Sequence, residues 1–242
     1  MNSNSTKDGH PRILVGICTY NEASNIREML ARIAVSLPNA DVLVVDDASP
    51  DGTARIANEF VHPVASSSVR CVVRQQRGLG GAIRSAMQAS VEGGYQLFCN
   101  LDADLSHDPA DLPRLVASVL DDDVDVAVGS RYVAGGEIVG WPRHRMIMSR
   151  MINSIARRRL GIPVNDASGS FRCYRVRGLE ELELDEHLSD GYAFLQQVLL
   201  KLHRNGARMR ELPIVFTERV NGDSKLNLRE AIRSGWTVFN LN

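Results

Sequence analysis

Phe98-Cys99-Asn100-Leu101-Asp102-Ala103-Asp104-Leu105-Ser106-His107 is the stretch whose reading decides the fold. An apolar, strand-like run from Tyr95 to Leu101 ends abruptly in two carboxylates, Asp102 and Asp104, one residue apart. Charge directly after a buried strand marks the C-terminal edge of a sheet, where open α/β folds bind their ligands. Two hard oxygen ligands at that edge suit a divalent cation that also holds phosphate oxygens. A D-x-D pair alone carries little weight, because acidic pairs are common in loops, so the flanking segments must supply the rest.

Upstream, Arg12 to Cys18 reads as a strand followed by the polar turn Thr19-Tyr20-Asn21-Glu22. A helical period from about Ser24 to Val35 puts Ile26, Met29, Leu30 and Ile33 on one face. Pro38-Asn39 breaks it, and a second buried strand, Asp41 to Val45, ends in Asp46-Asp47. Ser49-Pro50-Asp51-Gly52-Thr53 is a turn and helix start. A third strand, Ser68 to Val73, leads to Arg77-Gly78-Leu79-Gly80-Gly81 and a helix to about Ala89. That glycine cluster lacks the Lys-Ser/Thr of a P-loop and the spacing of a dinucleotide fingerprint, so it reads as a helix start packed closely on the sheet. Downstream of Asp102, His107-Asp108-Pro109 opens a helix to Leu120, and Asp125 to Gly129 is a further strand.

Strand and helix alternate five times, which predicts an α/β domain with a mostly parallel sheet and helices on both faces. The last third is less regular: a basic helix near 143–160, a loop at 161–172, a helix near 191–204 and a strand near 208–216. Residues 1–10 are polar, lack the apolar region of a signal peptide, and read as a disordered tail. Residues 11–242 read as a single domain, with an amphipathic C-terminal segment at about 226–242 carrying Leu228, Ile232, Trp236 and Phe239.

The 242 residues are 44% hydrophobic and carry a net charge of −1, which provides a core and excludes a bulk basic field for nucleic acid. Cys18, Cys71, Cys99 and Cys173 have no C-x-x-C or His/Cys metal spacing, so they read as free thiols in a reducing compartment. No run approaches the roughly 20 apolar residues that cross a bilayer. Within Trp141 to Leu160, Met148, Met151, Ile152 and Ile155 form an apolar stripe, flanked by Arg143, Arg145, Arg150, Arg157, Arg158 and Arg159. That pattern suits a helix lying on an anionic membrane surface, or equally one packed on the sheet with a solvated charged face. The expected location is cytoplasmic, peripheral to the cytosolic face of a membrane.

Taken in order, Thr19-Tyr20-Asn21-Glu22, Val44-Val45-Asp46-Asp47-Ala48-Ser49-Pro50-Asp51-Gly52-Thr53, Asp102 to His107 and Gly129-Ser130-Arg131-Tyr132 resemble the inverting family 2 glycosyltransferases of the GT-A fold. Gly140-Trp141-Pro142 with Arg145 and Ser149-Arg150 narrows the resemblance, as do Asp166 to Arg172, Gly191 to Phe194, and Arg219 to Lys225. Together these segments are similar to the polyprenol (dolichol) phosphate mannose synthases over about residues 12–228.

The resemblance implies transfer of mannose from GDP-mannose to a polyprenyl monophosphate, with a divalent cation, Mg²⁺ or Mn²⁺. It implies that Cys18, Tyr20, Glu22, Val45 and Asp47 receive the base and ribose. Asp102, Ala103, Asp104 and Ser106 would meet the ribose and diphosphate, with Asp104 and Asp102 on the metal. Arg131, Arg145, Ser149 and Arg219 would hold the lipid phosphate, and Asp104, Arg131, Arg219 and Lys225 would carry the catalytic charge. The partners implied are the sugar nucleotide, the lipid and the membrane surface, with a membrane-anchoring subunit left open. Cys18 replaces the usual Pro, Arg77 a frequent Lys, Ser106 a longer metal-proximal side chain and Ser170 a usual Gly. A UDP-hexose donor, glucose foremost, is the alternative enzyme; a non-catalytic sugar-nucleotide-binding subunit is the alternative of another class. A processive synthase would need spanning helices and Q-x-x-R-W, and a nucleotidyltransferase a basic Gly-rich loop after the first strand; the chain has neither.

Chemistry agrees with this assignment. A phosphate monoester has its second pKa near ~6 and arrives ionised, so attack on an anomeric carbon needs little help from a base. Bringing a dianion to a diphosphate instead needs cations and bidentate arginines, in which this chain is rich near its polar loops.

Overall fold

The computed structural model describes residues 11–121, 123–182, 191 and 193–218. β1 (Ile13–Thr19), α1 (Ile26–Ser36), β2 (Asp41–Asp46), α2 (Thr53–Asn58) and β3 (Val69–Val73) form the first half of the sheet and its covering helices. α3 (Leu79–Glu92), β4 (Leu97–Asp102), α4 (Leu112–Leu120) and β5 (Val126–Ser130) continue the alternation. β6 (Glu137–Val139), α5 (Arg143–Leu160), β7 (Arg172–Arg175), α6 (Val176–Glu180), α7 (Ala193–Arg204), β8 (Met209–Pro213) and β9 (Val215–Thr217) complete the described chain.

Seven strands form one sheet in the order β3-β2-β1-β4-β7-β5-β8, and β6 pairs with β9 in a separate two-stranded ribbon. β7 runs antiparallel to both β4 and β5, whereas the other pairings within the sheet are parallel. This is the mostly parallel α/β sheet expected from the alternation.

Both faces of the sheet are covered, which is why β1, β2 and β4 read as near-continuous apolar runs rather than alternating ones. Leu14, Leu43, Val45, Phe98, Val126, Val128 and Tyr174 pack on one face against α3, α6, α7 and the end of α5. Ile13, Val15, Ile17, Val42, Val44, Leu97, Cys99 and Leu101 pack on the other against α1 and α4. Each such side chain, taken fully out of water, contributes about 1.5–3 kcal/mol. The expected α1 face, Ile26, Met29, Leu30 and Ile33, is buried as the helical period required. Gly80 and Gly81 are buried in the first turn of α3, as expected for a helix start pressed onto the sheet.

Two elements depart from the sequence expectation. β7 follows what read as a loop, because its four residues, Arg-Cys-Tyr-Arg, are too short and too polar to register as a strand. Arg172 in it is fully buried, donating to the carbonyls of Leu195 and Ala167 and to the Tyr174 hydroxyl. The single strand expected near 208–216 is broken into β8 and β9. Between them Ile214 turns the chain: its N–H goes to the Ser130 carbonyl and its own carbonyl to Glu137 N. The 1–10 tail and the 226–242 segment lie outside the described residues.

Candidate active site

β1 has β2 on one side and β4 on the other, so the strand order reverses direction there and opens a crevice at their C-terminal ends. Register puts Cys18 level with Val45 on one neighbour and Asp102 on the other. Three residues expected at the donor are thus brought side by side by backbone pairing alone. Val45 points into the core and Ala103 is 3% exposed, so these two can offer mainly their main chain.

Among the described residues, non-glycine left-handed backbone occurs at Asn21 (φ 58°), Ala48 (φ 52°) and Leu105 (φ 61°), one in the loop after each of these strands. Such conformations cost of order 1–3 kcal/mol each and persist where surrounding structure holds them, commonly at functional sites. The side chains that hold these loops are visible. Asp46, fully buried, accepts from Thr19 Oγ1 at 2.8 Å and from Ser49 N and Oγ at 2.8 and 2.5 Å. Asp46 therefore builds the loop, and its neighbour Asp47, 6% exposed, ties it to the segment between β3 and α3. Asp47 accepts from Arg74 Nη1 and Gly78 N, both at 2.8 Å, and burial still pushes its carboxyl above the usual range. Tyr20 lies under the Arg77 guanidinium at 4.0 Å from the ring centre, and buried Glu22 accepts from Asn25 Nδ2. Burial, with Asp102 and Asp47 close by, drives the Cys18 thiol far up and keeps it protonated.

At the end of β4, Asp104 is 6% exposed and accepts from Ser106 N at 3.0 Å, while the Asp102 side chain is about one-third exposed. The Ser106 hydroxyl is buried and has no hydrogen-bond partner among the described residues. Two carboxylates and an orphaned hydroxyl oxygen are a donor set of the hard type a divalent cation takes. Among the described residues no group of three or more His, Cys, Asp or Glu is arranged to hold a metal ion. A cation here would therefore draw its remaining ligands from a substrate diphosphate and water.

His107 sits behind Asp102, its Nδ1 3.7 Å from Asp102 Oδ2. Burial lowers its pKa despite Asp102, Asp104 and Asp166, so the ring is neutral. It lies tilted against Phe171 at 5.1 Å and meets Phe216 edge-on at 5.3 Å. Phe216 in turn meets Trp141 at 5.4 Å, and Trp141 carries the Arg145 guanidinium at 3.9 Å. The carboxylates expected at the donor and the arginines expected at the acceptor are joined by this one aromatic chain.

Arg131 lies over Tyr132, Trp141 and Phe216 at 5.2–5.7 Å. It is nearly fully buried, and its Nε and Nη2 grip both oxygens of Asp166 at 2.7 Å. Asp166 is one residue that site reasoning missed. It stood in the motif, but nothing in the sequence says it lies against an arginine 35 positions away. Arg145 Nη1 donates to Glu218 at 2.6 Å, and the Ser149 hydroxyl lies 2.6 Å from the Tyr132 hydroxyl. Tyr132, Trp141, Phe216 and Glu218 thus join the expected Arg131, Arg145 and Ser149. Arg219 and Lys225 lie outside the described residues.

These features define an α/β transferase of GT-A architecture, with its site across the C-terminal ends of β1, β2 and β4. The glycosyl transferase family 2 model matches residues 14–183, and the chain belongs to that family and is a glycosyltransferase. A polyprenol monophosphomannose synthase of Mycolicibacterium smegmatis is 38% identical over 231 residues, covering 91% of this chain and 84% of that protein. An undecaprenyl-phosphate mannosyltransferase of Micrococcus luteus is 39% identical over 217 residues, covering 89% and 88%. Among solved structures, glucosyl-3-phosphoglycerate synthase of Mycobacterium tuberculosis with Mn²⁺, UDP and its product superposes with a TM-score of 0.69 at 18% identity. It covers 96% of this chain and 78% of that one, and at such identity the likeness is one of fold.

Proposed function

We propose that the chain transfers mannose from GDP-mannose to a polyprenyl monophosphate with inversion at the anomeric carbon. The observation that carries this reading is the continuity of the site, from Asp102 and Asp104 through His107, Phe216 and Trp141 to Arg145. An anionic acceptor and a diphosphate donor need such a junction of cation-binding carboxylates and arginines. The names of the two relatives support the lipid phosphate and the mannose. The guanine base is the expectation drawn from the motif around Tyr20, Glu22 and Asp47.

In this reading Cys18, Tyr20, Glu22, Asp47 and the main chain at Val45 and Ala103 bind the nucleoside. Asp102, Asp104 and the Ser106 hydroxyl would hold Mg²⁺ or Mn²⁺. The cation, when bound, offsets the charge of the diphosphate and of the nucleoside diphosphate as it leaves. Arg145 and Ser149, with Arg219 and Lys225 outside the described residues, receive the acceptor phosphate, and Arg131, gripped by Asp166, adds fixed positive charge beside them. The nucleophile is already ionised at neutral pH, its second pKa being about 6. The neutral His107 and the arginine-bound Asp166 are accordingly not required as bases.

The acceptor reading also accounts for the surface of α5. Ile147 (66% exposed), Met148, Met151 and Ile155 stand exposed on a helix that carries Arg157, Arg158 and Arg159 in its last turn. An exposed apolar stripe with flanking basic residues suits the surface of an anionic membrane, where each Lys or Arg adds about 1 kcal/mol. Among the described residues no helix is long and apolar enough to cross a membrane.

The test is a transfer assay with purified protein, Mg²⁺ or Mn²⁺, a short polyprenyl phosphate and labelled GDP-mannose beside UDP-glucose. Labelled lipid from GDP-mannose is the expected result. Labelled lipid from UDP-glucose alone would replace the donor, and nucleotide binding with no product from either would favour a binding role.

A further inference from the structure

The two arginines of the aromatic cage are paired in different ways. Arg131 is gripped through two nitrogens by Asp166, with side-chain exposures of 8% and 0%, so that pair is closed to solvent. Among the described residues the Arg145 side chain makes one hydrogen bond, of 2.6 Å to Glu218, with side-chain exposures of 26% and 37%. A fully desolvated fork is a fixed part of the structure, whereas a single bond at a wet rim exchanges with other anions.

Glu218 is held at that rim by its backbone rather than by its side chain. Its N–H donates to the Val139 carbonyl at 2.9 Å, and the preceding Thr217 N–H donates to the Ser106 carbonyl, inside the carboxylate loop, at 3.1 Å. Gly140 leaves room for the side chain: it is left-handed (φ 93°), and a Cβ there would lie 2.9 Å from Glu218 Cβ. The carboxylate can therefore swing away by rotation about its own side-chain bonds, with the strand staying in place.

We propose that Glu218 is an internal stand-in for the acceptor's phosphate. In the free enzyme it holds Arg145 over Trp141, and the incoming phosphate takes its place on the guanidinium. The proposal rests on the acceptor reading above. A phosphate monoester carries about −1.5 to −2 charges at neutral pH and presents more acceptor oxygens, so it outcompetes a carboxylate for an arginine. An uncharged lipid alcohol cannot, and Glu218 thereby contributes selection for the phosphorylated lipid. The cost is an acceptor affinity lower than Arg145 alone would give.

The test is steady-state transfer to a polyprenyl monophosphate by the full chain, comparing wild type with Glu218→Gln, Glu218→Ala and Arg145→Ala. Gln keeps the shape and the hydrogen bond but removes the charge. The acceptor KM is expected to fall about three- to fivefold in Glu218→Gln, as for loss of an exposed ion pair, with the donor KM unchanged. Inorganic phosphate, competing with the acceptor, should inhibit that variant at correspondingly lower concentration. An acceptor KM that is unchanged or raised in both Glu218 variants overturns the proposal. An unchanged acceptor KM in Arg145→Ala also overturns it and leaves the transferase reading standing. No transfer by the wild type to any polyprenyl phosphate removes the acceptor reading itself, and the stand-in with it.

Discussion

Asp104 and Asp166 are both buried carboxylates, and what each faces sets what its loss does. Asp104 has Ser106 N on one oxygen and belongs to the donor set proposed for the cation. Asp104→Ala is expected to abolish metal-dependent transfer, and near-normal turnover of the variant at saturating Mn²⁺ would remove Asp104 from the metal. Asp166 serves the fold of the site instead. Burial pushes its carboxyl up, but the Arg131 charge and hydrogen bonds win, and its pKa lies below the ordinary 3.8. A carboxylate with a lowered folded pKa stabilises fully above its unfolded value and loses that stabilisation as pH falls through the folded one. Asp166→Asn leaves the Arg131 charge buried and unpaired, at a cost of about 3–5 kcal/mol near pH 7. Urea unfolding at pH 7 and pH 3 should show the gap to wild type narrowing at the lower pH. An equal gap at both would assign the loss to packing. The family resemblance assigns Asp47 rather than Asp46 to the donor; in the structure Asp46 is taken up by Thr19 and Ser49, and Asp47 by Arg74 and Gly78. The sequence could not mark Asp166–Arg131 or Arg145–Glu218, because partners 35 and 73 residues apart meet only through the fold.

At the scale of elements, α5 shows what a periodic pattern can and cannot say. Its stripe of Met148, Met151, Ile152 and Ile155 was legible, but a stripe serves a core as well as a membrane. The structure buries Asn153, Ala156 and Leu160 against the rest of the domain and turns Ile147, Met148, Met151 and Ile155 outward. The side that packs is thus offset from the stripe. Ile147→Ser combined with Met151→Ser should leave thermal stability near wild type and weaken sedimentation with anionic vesicles about tenfold or more. Unchanged vesicle binding would dissociate α5 from the membrane. β7 stayed hidden because four polar-flanked residues carry no period, and its place was fixed by partners on both sides, β4 and β5.

At the scale of the whole molecule, the four thiols report how the sheet closes. Cys18, Cys71, Cys99 and Cys173 lie on four strands of the same sheet, and all are free. Cys99 and Cys173 face each other across β4 and β7 and are fully buried. Burial drives Cys18 far up and raises Cys71 to about 11. With thiolate the reactive form, Cys71 ionises to only on the order of one part in a thousand at pH 8. A thiol titration at pH 8 should therefore proceed slowly on the native protein and reach all four cysteines at once in denaturant. Rapid native reaction of any of them would place that strand in a more open sheet.

The fold class was written in the sequence because a sheet covered on both faces needs apolar strands, and each of those strands ends where polar loop chemistry begins. β1, β2 and β4, the carboxylates after them and the helix faces between them are local patterns, so the strand ends that frame the crevice could be read from the sequence; the assignment of donor residues among them rests on the family resemblance. Tertiary structure alone decided the order β3-β2-β1-β4-β7-β5-β8, the insertion of β7, and the aromatic chain from His107 to Trp141. It also decided which arginine is locked by a buried carboxylate and which is held by an exchangeable one. These depend on contacts between residues far apart in the chain, and such contacts leave no local period in the sequence.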